Sequence, residues 1–223
     1  MEVGSTASVG SAESLPEPDN DSVVVDDRRI LTLMNRISVE TVEPIIEALQ
    51  AAEPAEKLVV YIRANNGGQV QQLIRLIQAL ATTKADVELA IGRYAMSCAA
   101  ALWLWFALEP IEGDDGVGRV VSVDPRKPAV LLYHRPRWPH TKDGEYYCFI
   151  EHFEDEAVRE SLKAQVQLFD DLFELLLARQ GLGGVHTATL SQDGATYTHH
   201  LQFAKDTYYS NRDYVISLEG AMS

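Results

Sequence analysis

Apolar and polar positions recur along the chain in two periods, and the switches between them mark out the elements. The run Arg29–Met34 (RILTLM) predicts a strand. From Ser38 onward Val42, Ile45, Ile46 and Leu49 recur at helical spacing, with Ser38 as the candidate cap. Pro44 falls in the early part of that helix and argues for a start later than Ser38. After Glu53-Pro54, Lys57–Arg63 (KLVVYIR) is a β-branched run of strand length. Asn65-Asn66-Gly67-Gly68 then predicts a turn, and Val70, Leu73, Ile74, Ile77 and Leu80 predict one face of a helix. Val87–Ile91 reads as a strand ending at Gly92, and Ser97–Leu108 as a buried helix, apolar on nearly all sides. Strand and helix alternate three times, which implies right-handed βαβ crossovers stacked on a largely parallel sheet.

The second half is less regular. Arg119–Val123 and Ala129–Tyr133 predict strands around Asp124–Pro128, and Pro136, Pro139 and Gly144 mark a loop. A long amphipathic helix is expected from about Tyr147 to Gln180, carrying Val158, Leu162, Val166, Phe169, Phe173, Leu176 and Leu177. Gly181, Gly183 and Gly184 would end it. Its apolar stripe exceeds what one small sheet needs, so it also reads as an association surface.

With 46% apolar residues among 223, the chain can bury one substantial core. Residues 1–22 are rich in Ser, Gly, Glu, Asp and Pro and predict a mobile tail or propeptide, leaving 23–223 as a single domain. The formal charge is −14, and residues 1–27 hold seven acidic side chains and no Lys or Arg. Such a chain would repel phosphate backbones, so no nucleic-acid partner is expected. The acidity reads as solvation, with an acidic docking function as the alternative. No apolar run reaches the roughly 18 residues a spanning helix needs, so no membrane association is expected. The N-terminal segment lacks the basic and apolar regions of a signal peptide, which points to a cytoplasmic protein. Cys98 and Cys148 are too few for a disulfide framework or a cysteine-rich zinc site. His199-His200 suggests a metal pair, but adjacent side chains diverge and no ligand stands at metal spacing, so no metal is expected.

Four segments could carry chemistry. Glycines in Asn65–Gly68, between a strand and a helix, allow close approach of backbone to a ligand, and amides at the following helix start could face a developing negative charge. Taken alone the segment also reads as an ordinary turn. Ser97, between a strand end and an apolar helix, can expose its hydroxyl with the Cys98 amide aimed at an oxyanion. Alone it reads as a helix cap. His134 leaves the strand AVLLY at the sheet edge, where a general base would sit. Asp206, in Ala204–Ser210, could accept an imidazole N–H, although it is one of 33 carboxylates. No GxxxxGK[ST] sequence occurs, so no nucleotide loop is present.

In this order the four segments resemble the proteolytic subunit of the Clp protease, ClpP. Its Ser-Pro-Gly-Gly turn is matched by Asn65-Asn66-Gly67-Gly68, and its Gly-x-Ala-Ala-Ser-Met-Gly-Ala by Gly92-Arg93-Tyr94-Ala95-Met96-Ser97-Cys98-Ala99. Its Met-Ile-His-Gln-Pro is similar to Leu132–Pro136, and its Arg-Asp-x-x-x-Ser to Lys205–Ser210. The departures are Asn-Asn for Ser-Pro, an extra residue between Gly92 and Ser97, Cys98 and Ala99 after the serine, and a longer Ser97–His134 interval near Pro110–Gly118.

The resemblance implies an α/β ClpP/crotonase-type fold of stacked βαβ units, with the long helix as the family's handle. It implies a serine endopeptidase with Ser97 as nucleophile, His134 as base, Asp206 as orienting carboxylate, and the Gly68 and Cys98 amides as oxyanion hole. No metal or organic cofactor would be needed. Substrates would be unfolded polypeptides, cleaved inside a homo-oligomeric ring or double ring and fed by a separate AAA+ unfoldase. The alternatives are a catalytically inactive ClpP-like structural subunit and a crotonase-type acyl-CoA enzyme. The second needs no such triad.

Overall fold

The computed structural model describes residues 28–139, 147–179 and 203–220. The tail read over residues 1–22, Gly144, the helix-ending glycines at 181–184 and the His199-His200 pair lie outside the described residues.

In chain order the elements are β1 (Arg29–Ile37), α1 (Val39–Ala51), β2 (Lys57–Gly68), α2 (Val70–Thr82), β3 (Asp86–Met96), α3 (Cys98–Leu108), β4 (Val120–Ser122) and β5 (Ala129–Tyr133). Then come β6 (Trp138–Pro139), β7 (Tyr147–Cys148), a single 3-10 turn at Ile150–His152, α4 (Glu156–Ala178), a helical segment at 203–209 and β8 (Tyr214–Leu218). The main sheet runs β1-β2-β3-β5-β8. It is parallel from β1 to β5, and β8 lies antiparallel on β5. This is a mixed α/β architecture on a mostly parallel sheet, as the alternation of periods predicts.

The far edge of β3 is divided. Its first half pairs with β4, Val87 to Leu89 against Val120 to Ser122, and its last three residues pair with β5, Tyr94 to Met96 against Val130 to Leu132. The C-terminal ends of β3 and β5 are thereby held side by side, and the two candidate catalytic segments begin there.

Alternating residues of the central strands enter the core: Leu58, Val60 and Ile62 from β2, and Val87, Leu89 and Ile91 from β3. Nine of the eleven residues of α3 are buried, because this helix packs on strands β1 to β5 and on both α2 and α4. Its all-round apolar sequence is the signature of that position.

Several boundaries differ from the sequence reading. Pro44 does not delay α1, which begins at Val39; the ring removes one helical hydrogen bond, and the start is secured by Thr41. The Thr41 hydroxyl accepts the Ser38 N–H at 3.1 Å and donates to the Arg36 carbonyl at 2.6 Å. Asn65–Gly68 is not a turn. It is the irregular end of β2, with Asn65 paired to Asn35 and Ala95, and Gly68 to Ile37. The long helix starts at Glu156 and not near Tyr147, since the Asp155 carboxylate caps it by accepting the Ala157 N–H at 2.8 Å. Tyr147–Cys148 instead pairs with Trp138–Pro139.

The stripe on α4 is divided too. Val166, Phe169, Leu172, Phe173 and Leu176 are buried against the helix's own domain, so Phe169 is a core residue rather than a surface one. Phe169, Phe173 and Tyr208 stack around Tyr133, with Phe173 and Tyr208 centroids 3.9 Å apart. The Tyr133 hydroxyl donates to the Phe169 carbonyl at 2.8 Å. This aromatic cluster fixes the end of β5 to α4 and to the segment 203–209. Among the described residues no helix is long and apolar enough to cross a membrane.

Candidate active site

Ser97 is the single residue between β3 and α3, with φ 51° and ψ −122°. A non-glycine residue rarely adopts this backbone, which costs about 1–3 kcal/mol and must be held by its surroundings. Here the Ser97 N–H donates to the Leu132 carbonyl of β5 at 2.8 Å, and its carbonyl accepts the Ala101 N–H at 2.9 Å. The sharp strand-to-helix turn places Ser97 at the C-terminal end of β3, a position suited to a nucleophile.

The end of β2 is built around that turn. Gly67 has φ 81° and Gly68 φ 155°, both in territory that favours glycine. A Cβ on Gly67 would stand 2.5 Å from the Ser97 Cβ and 3.1 Å from the Cys98 nitrogen, and one on Gly68 would stand 2.1 Å from the Ile37 carbonyl oxygen. Bare backbone is therefore required at both positions. The Cys98 thiol donates to the Gly68 carbonyl at 3.2 Å, so the two residues read as oxyanion donors are in direct contact. Cys98 is the first residue of α3, where an amide has no intrahelical acceptor. Burial pushes its thiol up to about 11, which keeps it protonated and unreactive beside the serine.

Asn65 holds this strand end from within. It is fully buried, and its Oδ1 accepts the Gly67 N–H at 2.9 Å. Its Nδ2 has no protein acceptor among the described residues.

His134 follows β5 directly, one strand over from Ser97. Burial holds its imidazole down at about 4, and the Arg137 guanidinium adds to the push. At neutral pH the ring is therefore uncharged. Its Nδ1 lies 2.6 Å from the Arg135 carbonyl oxygen, which can only accept, so Nδ1 carries the proton and Nε2 a lone pair. That is the tautomer a general base needs. No hydrogen bond joins His134 to Ser97 among the described residues.

Asp206 lies on the exposed side of the segment 203–209, whose Ala204 and Tyr208 face the core. The structure brings Ser97, Gly68 and Cys98 together, and His134 stands two residues past Leu132, whose carbonyl accepts the Ser97 N–H. It does not bring the Asp206 carboxylate onto Nδ1 of His134, where the Arg135 carbonyl stands.

The sequence reading passed over the group next to the histidine. Arg135 forks onto Asp170 of α4, Nε to Oδ1 and Nη2 to Oδ2, both at 3.0 Å, and its Nη1 reaches Glu151 at 2.7 Å. The Tyr208 hydroxyl donates to the same Asp170 Oδ1 at 3.0 Å. An arginine directly after the candidate base was the visible signal; its partner on a distant helix was not. No family model matches the sequence, and no curated protein matches it.

Proposed function

We propose that the chain is a serine endopeptidase of the ClpP type, carrying the ClpP/crotonase variant of the α/β architecture. The observation that carries this reading is Ser97: a serine at φ 51°, ψ −122° between a parallel strand and a buried helix, with glycine backbone pressed against it. In this reading Ser97 Oγ attacks the scissile carbonyl carbon while its proton passes to Nε2 of His134. The negative charge that forms on the carbonyl oxygen falls to the amides of Cys98 and Gly68, each worth a few kcal/mol in comparable hydrolases. His134 then gives the proton to the leaving amine, and water repeats the sequence on the acyl-enzyme. Substrates are unfolded polypeptides, admitted to a chamber formed by a ring or double ring of copies and fed by a separate AAA+ ATPase.

A second reading is a catalytically inactive ClpP-like subunit. What favours it is the Nδ1 partner of His134, a backbone carbonyl 2.6 Å away in place of a carboxylate. A carbonyl orients the ring but stabilises the imidazolium less than a negative charge does. A fluorophosphonate probe with peptide mapping separates the two. Labelling of wild type at Ser97, absent in Ser97→Ala, supports the peptidase; an unlabelled, folded wild type overturns it.

A further inference from the structure

We infer that Asp170 is the positioning residue of His134, acting through Arg135 in the place assigned by resemblance to Asp206. The catalytic consequence rests on the hydrolase reading; the geometry does not.

The Arg135 carbonyl that fixes His134 belongs to a residue whose side chain is itself immobilised. Its guanidinium side chain is 15% exposed and the Asp170 carboxylate 18% exposed, so the fork is shielded from water on both sides. A bidentate arginine–carboxylate pair is strong and directional, and removing one partner of a buried pair leaves the other charge uncompensated. Asp170 in turn has little freedom. It follows the fully buried Phe169 on α4, and its Oδ1 also takes the Tyr208 hydroxyl. Tyr133, next to His134 on the other side, donates its hydroxyl to the Phe169 carbonyl. The backbone on each side of the histidine is thus tied to the same turn of α4, through Tyr133 before it and Arg135 after it. The ring has one described hydrogen-bond partner, the Arg135 carbonyl, and that carbonyl belongs to the residue whose side chain the Asp170 fork holds.

The alternative is that Tyr133 and Pro136 alone hold the segment and the fork serves only to neutralise a half-buried arginine. The two differ in the state of one nitrogen. With histidine labelled in 15N and His134 assigned through His134→Gln, the wild-type protein should show Nδ1 protonated and Nε2 bare. In Asp170→Ala a mixture with protonated Nε2 should appear. Asp170→Glu, which keeps a carboxylate on a longer arm, should restore the wild-type signal, and Asp206→Asn should not disturb it. Should Asp170→Ala fail to fold, Arg135→Lys provides the same test, because it keeps the charge and loses the fork. An unchanged tautomer in whichever of these two variants folds, or a tautomer moved by Asp206→Asn, overturns the inference. The labelling rate of Ser97 should fall about 10- to 100-fold in Asp170→Ala, the scale of a misplaced catalytic group. If wild-type Ser97 is never labelled, the hydrolase reading fails while the nitrogen signals still decide the role of Asp170.

Discussion

Gly67 and Ser97 meet across two adjacent strands with no room for a side chain between them: a Cβ at position 67 would stand 2.5 Å from the Ser97 Cβ and 2.7 Å from the Met96 carbonyl oxygen. β2 and β3 are thus locked together at the point where the chain makes its strained turn, and the glycine is as much a part of that turn as the serine.

Gly67→Ala is accordingly expected to cost about 1–3 kcal/mol of stability, through a collision with rigid backbone and a φ of 81° that alanine tolerates poorly. It should also displace Ser97 and the Cys98 amide, lowering the fluorophosphonate labelling rate by more than the loss of folded protein explains. Urea melts and labelling kinetics on one preparation measure both. A variant that labels at the wild-type rate would show that the contact does not shape the site.

Ser97→Gly and Ser97→Ala should part company. Both remove the nucleophile, and both are expected to abolish labelling. Only glycine relieves a backbone at φ 51°, ψ −122°, so Ser97→Gly should be more stable than Ser97→Ala by about 1 kcal/mol. Equal thermal midpoints would mean that the turn stores no strain.

Those two residues also show what could be read from the chain. β5 was legible at both ends, and β2 and β3 at their starts, because a run such as KLVVYIR or AVLLY bounded by polar or proline residues has one plausible local structure. Ser97 stood out as the hinge between a strand and an apolar helix. Asn65–Gly68 was misread as a turn because glycine and asparagine signal turns locally, whereas here pairing to Asn35, Ile37 and Ala95 on both sides keeps them extended. No strand is read over Tyr214–Leu218, although Tyr214, Ile216 and Leu218 alternate into the core there. The Arg135–Asp170 fork joins residues 35 positions apart. Nothing in the sequence separates that aspartate from its neighbour Asp171.

The depressed pKa of His134 links stability to pH. The ring charges near 6.5 in the unfolded chain and near 4 in the folded one. Between those values the unfolded chain binds more protons, so this contribution is fully present above pH 6.5 and is lost as pH falls toward 4. It amounts to about 3 kcal/mol. His134→Gln should flatten that part of the stability curve. Ser97 labelling should likewise persist down to pH 5, with its acid limb near 4. An acid limb near 6.5 would show an imidazole exposed to water.

The division of α4 determines how the proposed ring can be tested. Phe169 is fully buried and stacked 5.6 Å from Tyr133, so its removal acts on the domain itself. Phe169→Ala should cost about 3–5 kcal/mol, and Phe169→Glu should unfold the chain by burying an unpaired charge. Neither variant reports on assembly. Toward the helix start Val158 and Leu162 are half-buried without packing against the core cluster as the half-buried Leu168, Leu175 and Leu177 do, which makes them apolar groups of α4 within reach of another copy. If α4 joins copies, Leu162→Glu should lower the mass seen by light scattering while costing the folded domain only about 1 kcal/mol, far less than a core substitution. A wild-type protein that is monomeric at micromolar concentration and still cleaves peptides would defeat the ring. A Leu162→Glu variant of unchanged mass would move the contact to another face of the domain.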